Sequence, residues 1–229
     1  MAYILQDSTI FGITLNTFEI YDLSVGHTFL AFRWAISRGL TIQNPELYAT
    51  RKGDIELLDY LVNIGIQLDE TLYIVAATYD QLECLVYFHE VVHIPWDDRA
   101  CSAAALNGHL DCLIYLHENG CPWNEWTCRA AAENGHLDCL KYAHEEGCLW
   151  NWQTTWKAAA NGHLDCLIYA HENGCEWSVR TCGSAARNGH LDCLIYAIEN
   201  GCPLNEAICH MTISNREIVD YLADKGLCR

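Results

Sequence analysis

Asn134-Gly135-His136-Leu137-Asp138-Cys139-Leu140 also occurs, unchanged, from Asn107, Asn161 and Asn188, which sets a register of 27 residues. Softer identities surround it. An Ala-Ala pair precedes it (Ala131-Ala132 in this copy) and a Gly-Cys pair follows (Gly147-Cys148), each with counterparts 27 residues away. A fixed period of this size marks stacked repeats, in which each unit buries its apolar face against its neighbours. One elongated solenoid is therefore expected along the 229 residues, rather than one or two compact globules.

Within a unit the pattern reads as two helices. Residues 127–133 form a short Ala-rich helix, and Asn134-Gly135 fits its stop, because glycine tolerates the left-handed conformation. The second helix starts near His136 or Leu137, with Asp138 meeting the positive end of the helix dipole. Leu137, Leu140 and then Tyr142 or Ala143 give it an apolar stripe, and Gly147 ends it. Strand signals are weak, so the expected class is all-α.

The repeat is regular over 97–204 and degraded before it. Gly53 and Gly65 keep the glycine spacing of 12, whereas the third unit has Val92 in place of its terminal glycine and one inserted residue before Pro95-Trp96. Residues 1–22 do not fit the pattern and are read as an N-terminal cap. Residues 205–229, whose first helix is shortened by two residues and whose second is more polar, are read as a C-terminal cap. That leaves about eight units over 23–229.

These residues resemble the ankyrin repeat over roughly 23–228: Ala131-Ala132, two variable residues, Gly135-His136, a Leu-rich helix, then Gly147-Cys148-Leu149-Trp150-Asn151. The resemblance implies helical pairs in a solenoid whose first helices line a concave binding face. Two features depart from the family. Thr127-Cys128-Arg129 stands where Thr-Pro-Leu-His would open the first helix, and the period of 27 removes the six residues that carry a β-hairpin finger. Shortened or absent fingers are expected. Short Cys- and Trp-rich arrays of this kind are similar to proteins of large DNA viruses of protists and of some protists.

Net charge is −17. Such a field repels nucleic acid and suits a basic protein partner. Met1–Leu15 has no basic n-region, and no apolar run approaches the ~18–20 residues of a spanning helix. The expectation is an intracellular, cytoplasmic monomer away from membranes (host cytoplasm if viral), its 14 cysteines reduced.

Each regular unit carries His-x-x-Cys, which invites a zinc reading. His136 and Cys139 share a helical face, but the next pairs, His109/Cys112 and His163/Cys166, should stand one helix-packing distance away, ~8–10 Å. Tetrahedral zinc needs four ligands at ~2.0–2.3 Å. The resemblance puts Cys112, Cys139, Cys166 and Cys193 at a buried Val position, and buried Cys behaves as a small hydrophobe. It also implies that His109, His136, His163 and His190 hydrogen-bond the inter-helix turns. His-x3-Cys pairs such as His117/Cys121 read as more exposed but equally structural. Adjacent equivalent cysteines are too far apart to bridge, and only Cys121 and Cys128, flanking a loop, are left open as a pair. No metal or cofactor is expected. Trp96, Trp123, Trp150 and Trp177 read as filling the shortened connection, with a ligand-binding aromatic ladder as the alternative.

Equivalent residues spread over every repeat do not make an active site, and no phosphate loop, HExxH or Ser elbow is present, so no enzyme is expected. A binding surface remains. The positions that change between units lie on and before the first helix: Glu125/Trp152, Trp126/Gln153/Arg180, Arg129/Trp156 and Glu133/Arg187. Trp and Arg favour interface anchors, so contact is expected around Trp126, Arg129, Trp152 and Trp156, against the alternative that solvent-facing residues vary without constraint. Asp138/Glu145 and their counterparts, seven apart on the second helices, stack into two acidic rows, a solvated face or a landing site for a basic partner. The expected function is a protein-interaction scaffold. The alternatives are a metal- or redox-responsive Cys/His protein and a ubiquitin-ligase adaptor recruiting through residues 1–22.

Overall fold

The computed structural model describes residues 9–10, 13–14, 25–38, 42–204, 208–211 and 215–228. The cap assigned to residues 1–22 falls outside these, except for a two-residue antiparallel pair, β1 (Thr9–Ile10) and β2 (Ile13–Thr14). Everything else regular among the described residues is helical. The chain divides into two compact units, Met1–Pro95 and Trp96–Arg229.

In the first unit, α1 (Val25–Ser37) is followed by α2 (Pro45–Lys52) and α3 (Ile55–Asn63), then by α4 (Thr71–Thr78) and α5 (Leu82–Val86). Asp54 caps α3 by accepting the Leu57 N–H at 3.0 Å. The inserted residue of the third repeat is absorbed inside its helix: α5 runs into a π-helical turn, Tyr87–Val92. There the Ile94 N–H bonds to Phe88 O, six residues back, where the Cys121 N–H of a regular unit bonds to Leu116 O, five back. His93 takes over the left-handed position that glycine holds elsewhere, at φ 59°.

The second unit is the regular part. Its first helices are α6 (Asp98–Asn107), α8 (Glu125–Asn134), α10 (Trp152–Asn161), α12 (Val179–Asn188) and the four-residue α14 (Ile208–Met211). Each packs on the next in sequence. The second helices, α7 (Leu110–Glu118), α9 (Leu137–Glu145), α11 (Leu164–Glu172) and α13 (Leu191–Glu199), form a parallel layer, and α15 (Arg216–Asp224) ends the unit. Helices of nine or ten residues are too short to hold alone in water, where ~12–15 residues are marginal. Packing holds them: Cys139, Leu140 and Ala143 of α9 and Cys128, Ala131 and Ala132 of α8 are at most 1 % exposed. A buried Leu alone is worth ~1.5–3 kcal/mol. Between units of 42–204 the connections carry no strand, so the fingers are absent there.

The first helices begin two residues earlier than the Ala-rich pattern implies, because a side-chain cap extends them. Asn124, Asn151 and Ser178 accept the N–H groups of Trp126, Gln153 and Arg180. They end on left-handed glycines, each covered by the following unit. At Gly135 (φ 77°) a Cβ would lie 2.8 Å from His163 Cε1, and at Gly162 it would lie 2.8 Å from His190 Cε1. Neighbours in other units do the same with Gln81 over Gly53 and Asn215 over Gly189. His136 also bonds to the Leu106 backbone, and Asn134 Nδ2 donates to the same Leu106 carbonyl at 2.7 Å.

One cysteine expectation fails. Cys209 and Cys228 form a disulfide with their Cα atoms 5.6 Å apart, while Cys121 and Cys128 are free. The geometric objection to bridges applied to equivalent residues in adjacent units. This bridge lies within the last unit, tying its four-residue first helix to the segment after α15.

The two kinds of glycine separate by mutation. Gly147 is left-handed at φ 86° with open space around it, so Gly147→Ala should cost about 1–2 kcal/mol, the strain of that conformation. Gly135→Ala adds a collision with His163 and should cost a further ~1–3 kcal/mol by urea denaturation. Equal costs would contradict the packing described.

Candidate interaction surface

Helical spacing decides which first-helix residues reach solvent. In α8 the buried side is Thr127, Cys128, Ala131 and Ala132, leaving Trp126, Arg129 and Glu133 in a row on the other. In α10 the buried side is Thr154, Thr155, Ala158 and Ala159, leaving Trp152, Gln153, Trp156 and Lys157. In α12, Arg180, Ser184 and Arg187 occupy the same side. Trp126 is 49 % exposed, and Arg180 and Arg187 are exposed. Glu125, Arg129, Glu133, Trp152, Gln153 and Trp156 are half-buried.

These side chains form one connected row across three helices. The Arg129 guanidinium lies 4.4 Å from the Trp126 ring centroid. Glu133 receives Arg129 at 3.3 Å and Lys157 at 2.6 Å. Lys157 Nζ stands 5.1 Å over Trp156, whose Nε1 donates to Ser184 Oγ at 2.8 Å. Trp152 and Trp156 have centroids 5.8 Å apart, and Arg180 lies 5.7 and 5.8 Å from the two rings. Glu125, Gln153 and Arg187 share the face. Lys157 and Ser184 were missed by the sequence reading, although Ala130/Lys157/Ser184 is itself a variable register position.

Open grooves flank Trp126. One of about 400 Å³ is lined by Asp98, Arg99, Ser102 and Asn124, and another of about 240 Å³ by Leu106, Arg129 and Glu133. Their sizes straddle the lower limit of small-molecule sites, ~300 Å³, and such sites enclose their ligand. Open grooves of this size suit single side chains of a partner better than an engulfed cofactor.

Residues 98–144 match the family model of ankyrin repeats (many copies). No curated protein matches the chain. Among solved structures, the crystal structure of the human ASB11 ankyrin repeat domain is similar at 18 % identity and TM-score 0.52, covering 80 % of this chain and 84 % of that one. Residues 98–144 are ankyrin repeats. The units of 152–204 are near-copies of the matched stretch.

On the opposite layer of these ankyrin repeats, Asp111, Asp138, Asp165 and Asp192 are exposed, as are Glu118, Glu145, Glu172 and Glu199. The connecting tryptophans are committed to packing. Trp123 stacks on His117 at 3.7 Å and meets Tyr142 of the next unit edge-on at 6.1 Å. Trp150 and Trp177 repeat this on His144/Tyr169 and His171/Tyr196. These rings fill the space between successive second helices.

The twelve free cysteines of the described residues are core. Cys121, Cys148 and Cys175, expected to be more exposed, are only 3–4 % exposed, because their thiols turn inward to the carbonyls of Asp97, Asn124 and Asn151 at 3.1–3.2 Å. Among the described residues, no three His, Cys, Asp or Glu side chains converge as a metal site. Burial, reinforced by neighbouring carboxylates, pushes the Cys139 and Cys193 thiols up to about 11 and Cys166 up to about 12. Metals and oxidants react with thiolates, so these groups are held in the wrong form at neutral pH. Burial likewise holds His136 below the ordinary imidazole range. Again among the described residues, no helix is long and apolar enough to cross a membrane.

The thiol shifts set an alkaline limit. Above the ordinary thiol value of 9.0 the unfolded chain ionises while the folded one keeps its protons, so stability falls as pH rises from there through the folded values. Each such thiol contributes up to ~1.4 kcal/mol per pH unit. Urea midpoints should drop between about pH 8 and about pH 10.5, and less steeply in Cys139→Val/Cys193→Val. A flat profile would contradict the burial of these thiols.

Proposed function

We propose that the ankyrin repeats act as a non-catalytic protein-interaction scaffold, contacting a protein partner through the concave first-helix face. Ankyrin repeats are in general protein-interaction modules. The observation that carries the reading for this chain is the row Trp126–Arg129–Glu133–Lys157–Trp156–Arg180, built from positions that differ between otherwise near-identical units. Trp126, Arg129, Trp152 and Trp156 are the proposed anchors, flanked by Glu125, Glu133, Gln153, Arg180 and Arg187.

The exposure of both acidic rows on the second helices supports a basic partner on that layer. We place the chain as a monomer in the cytoplasm (the host's if it is viral), with residues 1–22 and 205–229 as caps. Twelve free, buried cysteines support a reducing compartment, and the Cys209–Cys228 bridge is the observation against it.

Affinity capture with the wild-type chain and with Trp126→Ala/Trp156→Ala tests the site. Loss of an anchor Trp typically costs about 2 kcal/mol or more, so the double variant should release a partner that the wild type retains. Unchanged capture by a double variant with wild-type circular dichroism would remove the first-helix face as the site.

A further inference from the structure

Charge in the second unit is divided by helix layer. The first helices α6, α8, α10 and α12 carry five basic residues (Arg99, Arg129, Lys157, Arg180, Arg187) against three acidic ones (Asp98, Glu125, Glu133). The second helices α7, α9, α11 and α13 carry one basic residue, Lys141, against eight acidic ones. The imbalance sharpens along the face. All three acidic residues lie on α6 and α8, whereas α10 and α12 contribute Lys157, Arg180 and Arg187 and no carboxylate. Basic charge is therefore concentrated where Trp152 and Trp156 stand, in a chain whose formal charge is −17.

Resting on the interaction reading above, we propose that the α10–α12 part of the first-helix face takes an acidic peptide segment with an apolar anchor. One of its carboxylates would meet Arg180, beside Lys157 already paired with Glu133, and its apolar side chain the Trp152/Trp156 pair. The geometry suits that occupant. Arg180 is exposed while lying within 6 Å of both indole centroids, and a guanidinium can bind a carboxylate through two parallel hydrogen bonds. The bond from Trp156 Nε1 to Ser184 holds that ring in place before any partner arrives, which lowers the ordering cost of binding.

The acidic rows do not cancel this attraction. Packed helix layers stand ~8–10 Å apart, about one Debye length at physiological ionic strength. The cations on the face act at contact distance. A nucleic acid, with its dense run of phosphates, would still meet the field of the whole chain and is disfavoured. A short peptide with a few carboxylates presents far less charge to that field.

Selection of displayed random dodecapeptides on the 229-residue chain, at about 0.15 M ionic strength, tests the assignment. Enriched peptides should be acidic and carry an aromatic or aliphatic anchor. Their affinity should fall about tenfold or more with Arg180→Glu and with Lys157→Glu. Arg180→Gln, which removes charge without inverting it, should weaken them less, and Lys141→Glu on α9 should leave them unchanged. Neutral or basic enriched sequences, acidic ones indifferent to Arg180→Glu, or displacement by a thymidine dodecanucleotide would overturn the proposal. If basic peptides bind and lose affinity in Trp156→Ala, the interaction face stands and the acidic assignment falls. If no enriched peptide responds to any variant of the face, both fall.

Discussion

Each left-handed glycine that ends a first helix is roofed by a polar side chain from the next unit, and the stack depends on this contact. The glycine has two independent reasons to lack a side chain: its backbone angle and the ring above it. The ring in turn sits at the start of the next second helix, so the position of one helical pair is written into the turn of the pair before. His136, His163 and His190 fill this role in the regular repeats, and Gln81 and Asn215 fill it at two degraded ones. What these three residue types share is a planar polar group of suitable reach, which explains why the position tolerates their exchange.

Seen this way, invariance among the apolar and aromatic residues marks neighbour contacts, while the invariant Asp and Glu of the second helices stay exposed. The repeated Cys and Ala residues and the last Leu of each heptapeptide are buried, and the repeated Trp rings lie against a histidine of their own unit and a tyrosine of the next. A pattern that resembles metal chemistry in one dimension is packing in three. The first-helix residues that change from unit to unit are those that reach the surface, and they form an ion-pair and cation–π row of their own. The scaffold is uniform, and its individuality lies on one layer.

Much of the fold was legible because the 27-residue register fixes the helix pair, its glycine stops and its stacking at once. The caps at Asn124, Asn151 and Ser178 carry a readable signal, an Asx or Ser residue before the helix, but the Ala-rich run beside them drew the boundary inward. The π-helical turn could not be placed from the sequence: an inserted residue shows that length must be absorbed, not whether a loop or the helix absorbs it. The Cys209–Cys228 bridge escaped for a different reason. It depends on the shortened first helix of the last unit, where the regular register no longer predicts distances. On the candidate face, Trp126, Arg129, Trp152 and Trp156 came from comparing units, whereas Lys157 emerged only from its ion pair with Glu133.

A double-mutant cycle between Gly135 and His163, followed by urea unfolding of the full chain, reads the neighbour contact directly. If the ring roofs the turn, His163→Ala should relieve most of the penalty of Gly135→Ala, leaving about the 1–2 kcal/mol of left-handed strain and a coupling energy of ~1 kcal/mol or more. Additive costs would mean that the two side chains do not meet, and the units would then have to be held in register by something else.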